Sequence, residues 1–304
     1  YFSNYLLTSE LDTLPYIAMI VFAAQRLLPI MQQLYLSWAS IQGARANVED
    51  TLDFFDGLKK NNNTYEKLSI NFEKYIEFKN VSYKFADGNE IIKSINFKIN
   101  KGEKIGIVGK VGSGKTSLLK ILGGLTLPTT GFVQLDGIDV QHLHPDDVRA
   151  HFGIVLQNSI LFSGSLKENL LLGEPNASDE ELLEAASISG VDRIASELPD
   201  GFESVLKEQG FELSGGQRQA VCIARSIIGK PAVVLMDEPS SAMDSQSEQL
   251  FLSNLNSWLG DKTFVAVTHR GSLLNLVNRV IVMDAGRIVS DTTKEEFFAR
   301  QAAA

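Results

Sequence analysis

The stretch GKVGSGKT, residues 109–116, packs three glycines, two lysines and two hydroxyls into eight positions. It follows the apolar run KIGIV and precedes the helix-like SLLKILGG, the strand-to-helix context that a phosphate-binding loop requires. Glycines at this spacing let backbone amides turn inward around phosphate oxygens. Lys115 then places a positive charge on the outer phosphates, and Thr116 offers a hydroxyl to Mg²⁺. Gly109, Lys110, Val111, Gly112, Ser113, Gly114, Lys115, Thr116 and Ser117 are therefore candidate nucleotide-binding residues.

A second group lies in AVVLMDEP, residues 232–239, where two carboxylates close a buried-looking strand. Asp237 suits a Mg²⁺ ligand held through water, and Glu238 is placed to polarise an attacking water. An acidic pair at a strand end can also be a solvated turn, and the upstream phosphate loop is what favours chemistry. A third, FELSGGQRQAVCIARS at 211–226, opens a second glycine-rich helix. Ser214 and Gln217 have capping-box spacing, which accounts for both side chains and leaves Gly215 and Gly216 without a local reason.

The elements that must position these groups follow from hydrophobic patterning. KIGIV, PAVVLM and KTFVAVT are short, nearly all apolar and bounded by Gly, Pro or charge, as central strands of a parallel sheet covered on both faces should be. YIEFKNVSYKF and IIKSINFKI read as further strands. From Thr13 to Gly43 the only formally charged residue is Arg26, and a helix of that length exceeds the roughly 30 Å hydrocarbon core of a bilayer. Gln25, Arg26, Gln32, Gln33, Ser37 and Ser40 recur every three to four positions, a polar stripe that suits a bundle interior or aqueous pathway. An amphipathic helix packed on a soluble domain remains the other reading. The helical pattern is expected to run from Leu14 to Asp56 and stop at Gly57. The polar, asparagine-rich residues after it read as a linker, giving boundaries at 1–56, 57–70 and 71–304.

Composition restricts partners and compartment. The chain has 304 residues, with 28 Lys plus Arg against 37 Asp plus Glu and a net charge of −9, so nucleic acid is not an expected partner. The single cysteine, Cys222, excludes an internal disulfide framework and a cysteine-based metal site, and reads as a small buried helix residue. The chain begins at Tyr1 with no initiator Met and no signal-peptide pattern, and reads as cut from a longer protein.

In order, the phosphate loop, Gln157 in GIVLQNSILF, LSGGQ, LMDEP, SAMD and His269 in VTHR resemble the ATPase domain of ABC transporters, from about Tyr75 to about Asp291. The resemblance implies an α/β phosphate-loop ATPase with a parallel core sheet, an antiparallel β subdomain and a helical subdomain, here preceded by a long transmembrane helix. It also implies ATP and Mg²⁺ as cofactors. Two such domains would pair head to tail, with Ser214, Gly215, Gly216 and Gln217 of one closing on the ATP of the other. Glu238 and Lys115 would be catalytic. Gln157 would couple Mg²⁺ and the attacking water to the membrane part, His269 would hold the γ-phosphate, and Asp244 would communicate across the dimer. A base-stacking aromatic about thirty residues before Lys115 is matched best by Phe85, with Tyr83 as the other candidate.

Glu208 in ESVLKEQG resembles the acidic segment that precedes the signature in exporters, and the N-terminal helix resembles the last membrane helix of a half-transporter. The resemblance thus implies a multi-pass protein of the cytoplasmic (inner) membrane with its ATPase domain in the cytoplasm. Its partners would be a second half-transporter subunit, the membrane and an exported substrate. Residues 161–191 are similar to type I secretion exporters of peptides and proteins, whereas FAAQRLLPIMQQLY is similar to lipid-linked oligosaccharide exporters. Two further classes stay open: a soluble non-transport ABC ATPase, and a catalytically idle ATP-binding module.

Overall fold

A computed structural model describes residues 2–60, 72–85, 87–158, 160–207 and 210–302. The chain divides into two units, Tyr1–Thr64 and Tyr65–Ala304. The first contains one helix, α1 (Phe2–Lys60), with Pro15 and Pro29 inside it. The expected stop at Gly57 is therefore corrected. An interior glycine costs a helix only about 1 kcal/mol, and Leu58, Lys59 and Lys60 favour helix enough to carry it another turn. The stretch Pro15–Leu52 is long and apolar enough to cross a membrane, and its described side chains are exposed. Residues 61–70 of the expected linker lie outside the described residues, as do Asn71 and Glu208.

The second unit opens with β1 (Tyr75–Lys84) and β2 (Glu90–Asn100), an antiparallel pair. Then come β3 (Lys104–Gly109), α2 (Lys115–Leu122), β4 (Thr130–Leu135) and β5 (Ile138–Asp139). A short helix α3 (Pro145–Arg149) leads to β6 (Phe152–Val155). The middle of the chain is mostly helical: β7 (Gly164–Ser165), α4 (Leu166–Leu171), α5 (Asp179–Ser189), α6 (Val191–Glu197), β8 (Val205–Leu206) and α7 (Gly215–Ile227). It finishes with β9 (Val233–Asp237), α8 (Ser245–Leu259), β10 (Thr263–Val267), α9 (Gly271–Leu274), β11 (Arg279–Asp284), β12 (Arg287–Thr293) and α10 (Lys294–Ala302).

Six strands form one sheet in the order β12-β11-β3-β10-β9-β6, parallel except for β12. The three apolar runs expected at the centre are the adjacent strands β3, β10 and β9. Because side chains alternate faces along a strand, an all-apolar strand must feed two cores. Val233 and Leu235 join Leu118, Leu119 and the antiparallel β2-β1-β4-β5 sheet on one side, while Val234 and Met236 join Val221, Ala224 and Leu255 on the other. Both faces being filled fixes the height of every strand end, and the candidate site is built on those ends. Phe264 on β10 is fully buried in the second core. Truncating it to Ala removes a ring that nothing can replace, so Phe264→Ala should cost about 3–5 kcal/mol, read as a lower denaturation midpoint. An unchanged midpoint would mean that this core face is not packed as described.

Candidate nucleotide site

β3 delivers the chain to Gly109, and α2 begins at Lys115, so the loop between them sits where a parallel strand ends and a helix starts. Gly114 has φ +99°, and a Cβ there would lie 2.9 Å from the Ile91 carbonyl, so glycine is required on both counts. Gly114 is the N-cap of α2 and offers no side chain to cap it, leaving the first-turn amides available for an anion. Ser113 Oγ is buried with no hydrogen-bond partner. Lys110, Val111 and Gly112 form the exposed tip, and Ser117 follows in the first turn of α2. Lys115 is buried and donates from Nζ to the Gly109 and Lys110 carbonyls, both at 2.8 Å. Burial holds its pKa below the usual lysine value, against the opposing pull of Glu238 and Asp237.

Asp237 ends β9 with 1% of its surface exposed and accepts a hydrogen bond from Thr116 Oγ1 at 2.6 Å. Burial raises its pKa, and the neighbouring Glu238 adds to the rise. A buried carboxylate beside a hydroxyl is a pair of hard oxygen donors, and these residues fit Mg²⁺ held jointly with nucleotide phosphates rather than in an all-protein cage. Glu238 takes φ +50°, its N–H donating to the Val267 carbonyl at 2.9 Å. This turn brings its Oε1 to 3.5 Å from Nε2 of His269, which follows β10 and is half exposed. The structure thus brings Lys115, Thr116, Asp237, Glu238 and His269 together. Gln157 lies in the bend after β6, exposed and hydrogen-bonded to neither Thr116 nor Asp237.

Phe85 is 48% exposed just past β1 and stands edge-on to Tyr83 at 5.5 Å, while Tyr83 packs against the core. Of the two aromatics, Phe85 is the more exposed. Ser214 and Gln217 form the capping box expected of them at the start of α7, with bonds of 3.2 and 2.8 Å. Gly216 acquires a reason that the sequence did not disclose: a Cβ there would lie 2.7 Å from the Ala242 carbonyl, so the helix start fits against the loop after β9. Gly215 is exposed, with only the Ala242 methyl in reach. Asp244 caps α8, accepting from Gln246 N, Ser247 N and Ser247 Oγ, which hold its pKa low.

The ABC transporter family matches residues 92–241, which include the phosphate loop, the signature helix start and the acidic strand end. The chain belongs to the ABC transporter family. It is 35% identical over 303 residues to the alpha-hemolysin translocation ATP-binding protein of Escherichia coli O157:H7, covering 98% of this chain and 42% of that protein. It is 32% identical to the leukotoxin export ATP-binding protein of Aggregatibacter actinomycetemcomitans, covering 97% and 41%. A bacterial Atm1-family ABC exporter with ATP bound superposes with a TM-score of 0.74 at 28% identity, covering 86% of this chain and 48% of that one. The chain thus spans less than half the length of these relatives.

Three supports of the ABC ATPase site were not anticipated. Gln219, on α7 and 2% exposed, donates to the Glu238 carbonyl at 2.7 Å and accepts from Ala242 N, tying the signature helix to the turn after β9. Glu248 on α8 accepts from Ser240, Ser272 and Arg270, which anchors the loops on either side of His269 and Glu238. A signal existed, since Glu248 falls in helical step with Phe251, Leu252, Leu255 and Leu259 on the buried face. Arg270 carried no such signal, because its partners come from distant segments.

The raised pKa of Asp237 has a stability consequence with a definite sign. Its contribution is favourable below the unfolded carboxylate pKa and is lost as pH rises through the higher folded value. Asp237→Asn keeps the shape and an acceptor for Thr116 while removing the charge. Without nucleotide it should melt above wild type at about pH 7, by roughly 2–4 °C per kcal/mol recovered, with the gain shrinking towards about pH 4. A variant less stable than wild type at neutral pH would contradict the assigned burial cost.

Proposed function

We propose that the chain is the motor of an ABC exporter, using ATP hydrolysis in a head-to-tail dimer to drive a peptide or protein substrate across a membrane. The carrying observation is that the phosphate loop and the signature helix start serve different spaces in one chain. Lys115 faces Asp237 and Glu238. Ser214, Gly216, Gln217 and Asp244 line a separate cavity of about 220 Å³ among α5, α6, α7 and α8, with no phosphate-loop residue in its wall. A signature that does not face its own phosphates is suited to those of a second copy.

In this reading the amides of Gly112 to Thr116 and the Lys115 ammonium bind the phosphates, and Phe85 stacks on the base. Thr116, Asp237 and Gln157 would hold Mg²⁺, which when bound would supply positive charge to offset that of the phosphates. Glu238 accepts a hydrogen bond from the attacking water, its carboxylate aimed by the strained turn and by Gln219. His269 beside it holds the γ-phosphate in place. Intact Glu238 and His269 argue against an idle ATP-binding module.

Residues 1–56 would be the end of a membrane domain, 57–70 a junction and 71–304 the motor, in a multi-pass protein of the cytoplasmic membrane. At 100° per residue the polar positions from Gln25 to Ser40 fall within an arc of about 140° on α1, leaving the rest apolar, as a pathway-lining membrane helix requires. That helix argues against a soluble ATPase. Two relatives named for toxin translocation and export match across both units, which favours a protein cargo over a lipid-linked one.

The test is complementation between dead halves. Ser214→Arg blocks the signature and Lys115→Ala the phosphate loop. In a head-to-tail heterodimer of the two, one site carries both lesions and the other none. Mixing the two full-length variants should restore about a quarter of wild-type ATPase activity, since half of the dimers are mixed and each keeps one of two sites. Photolabelling by an ATP analogue at the intact Lys115 loop of Ser214→Arg should persist. No recovery together with lost labelling would show that the signature serves its own chain.

A further inference from the structure

The geometry points to Arg225 as a positioning residue that joins the segment after Gln157 to the signature helix, so that both parts of the ATPase site move as one body. This rests on the proposed roles of Gln157 and Ser214. Arg225 lies near the C-terminal end of α7, the helix whose N-terminus carries Ser214 to Gly216. Its Nε donates to the Asn169 carbonyl at 2.9 Å, its Nη2 to Asn169 Oδ1 at 3.1 Å and its Nη1 to the Ile160 carbonyl at 3.1 Å. A fork of fixed geometry thus grips two chain segments at once, which a lysine cannot do.

Asn169 completes the joint from α4. It is 1% exposed, and its amide donates to the Phe162 and Ser165 carbonyls at 2.8 and 3.1 Å while its Oδ1 accepts from Phe162 N at 2.9 Å. The Phe162 ring lies 5.7 Å from the Arg225 guanidinium. Residues 160 and 162 are consequently held by α4 and α7 rather than by the sheet. On the other side of Gln157, β6 is held by β9, the strand that ends at Asp237. Gln157 therefore occupies the short span between an anchor on the acidic strand and an anchor on the signature helix. Ile160 and Phe162 are more than half exposed, so the joint also presents an apolar tip through which force applied from outside would reach α7.

No phosphate-loop residue lines the cavity that Ile160, Phe162 and Arg225 share, so releasing the joint should leave nucleotide affinity alone and misplace Gln157 relative to the signature. Misplacement on this scale lowers turnover on the order of ten- to a hundredfold. In full-length protein in lipid nanodiscs, Arg225→Gln should lower kcat by that order per vanadate-trappable site while the KM for MgATP stays within about twofold. Normalising to trappable sites removes any loss of folded protein. Arg225→Lys keeps charge and bulk but not the fork, and should lie between Gln and wild type. If the Gln variant does not assemble, the Lys variant decides. In combination with Asn169→Ala, Arg225→Gln should lose little more than it does alone, because both changes break one joint. An unchanged kcat per site, or full rescue by lysine, would overturn the proposal. Glu238→Gln run in parallel separates the two claims: if it turns over like wild type, the reading of the site itself fails. If it is inactive and the Arg225 variants are normal, only the joint fails.

Discussion

A carboxylate at the end of a buried strand, Asp237, sets the terms for the rest of the site. It is almost wholly inaccessible, and its charge is offset by one hydrogen bond from Thr116 and by the Lys115 ammonium facing it. Burial pushes the acid pKa up and the lysine pKa down, so the charged form of each group carries a desolvation cost here. Stability is given up here to keep groups of opposite charge prearranged at one point, a trade common at sites built for electrostatic work.

Such an arrangement holds only if the strand ends cannot shift. β3, β9 and β10 are apolar on both faces, and each face is locked into a separate core. The phosphate loop hangs from β3 and the acidic pair from β9, the two strands that flank β10 in this sheet, which fixes their separation. Beyond apolar packing, three polar clusters fasten the surrounding segments to this frame. Gln219 links α7 to the Glu238 carbonyl, Glu248 gathers Ser240, Arg270 and Ser272, and Arg225 holds the segment beyond Gln157. The signature helix is held both ways, since Val221, Ile223 and Ala224 pack into the core beneath β9 while these directional bonds set the position of its two ends.

What could be read from residues alone was whatever is local in sequence. The phosphate loop, the alternating two-core strands and the Ser214–Gln217 cap each depend on neighbours within a few positions, and each formed as expected. The ties between Gln219 and Glu238, Arg225 and Asn169, and Arg270 and Glu248 join segments far apart in the chain, and no spacing rule could pair them. Gly216 shows the same limit: the capping box gives it no local reason, and its close approach to Ala242 appears only in the fold. The helix end at Gly57 was misplaced because a C-terminal glycine signal is weak beside the favourable propensities that follow it.

If Asp237 holds Mg²⁺ as proposed, thermal stabilisation by nucleotide reads that role most directly. The melting temperature of the wild-type protein and of Asp237→Asn would be measured with ATP plus Mg²⁺ and with ATP plus chelator. The wild type should gain more from ATP when Mg²⁺ is present, and that Mg²⁺-dependent increment should vanish in Asp237→Asn while the response to ATP alone survives. An equal Mg²⁺-dependent increment in both proteins would contradict the account.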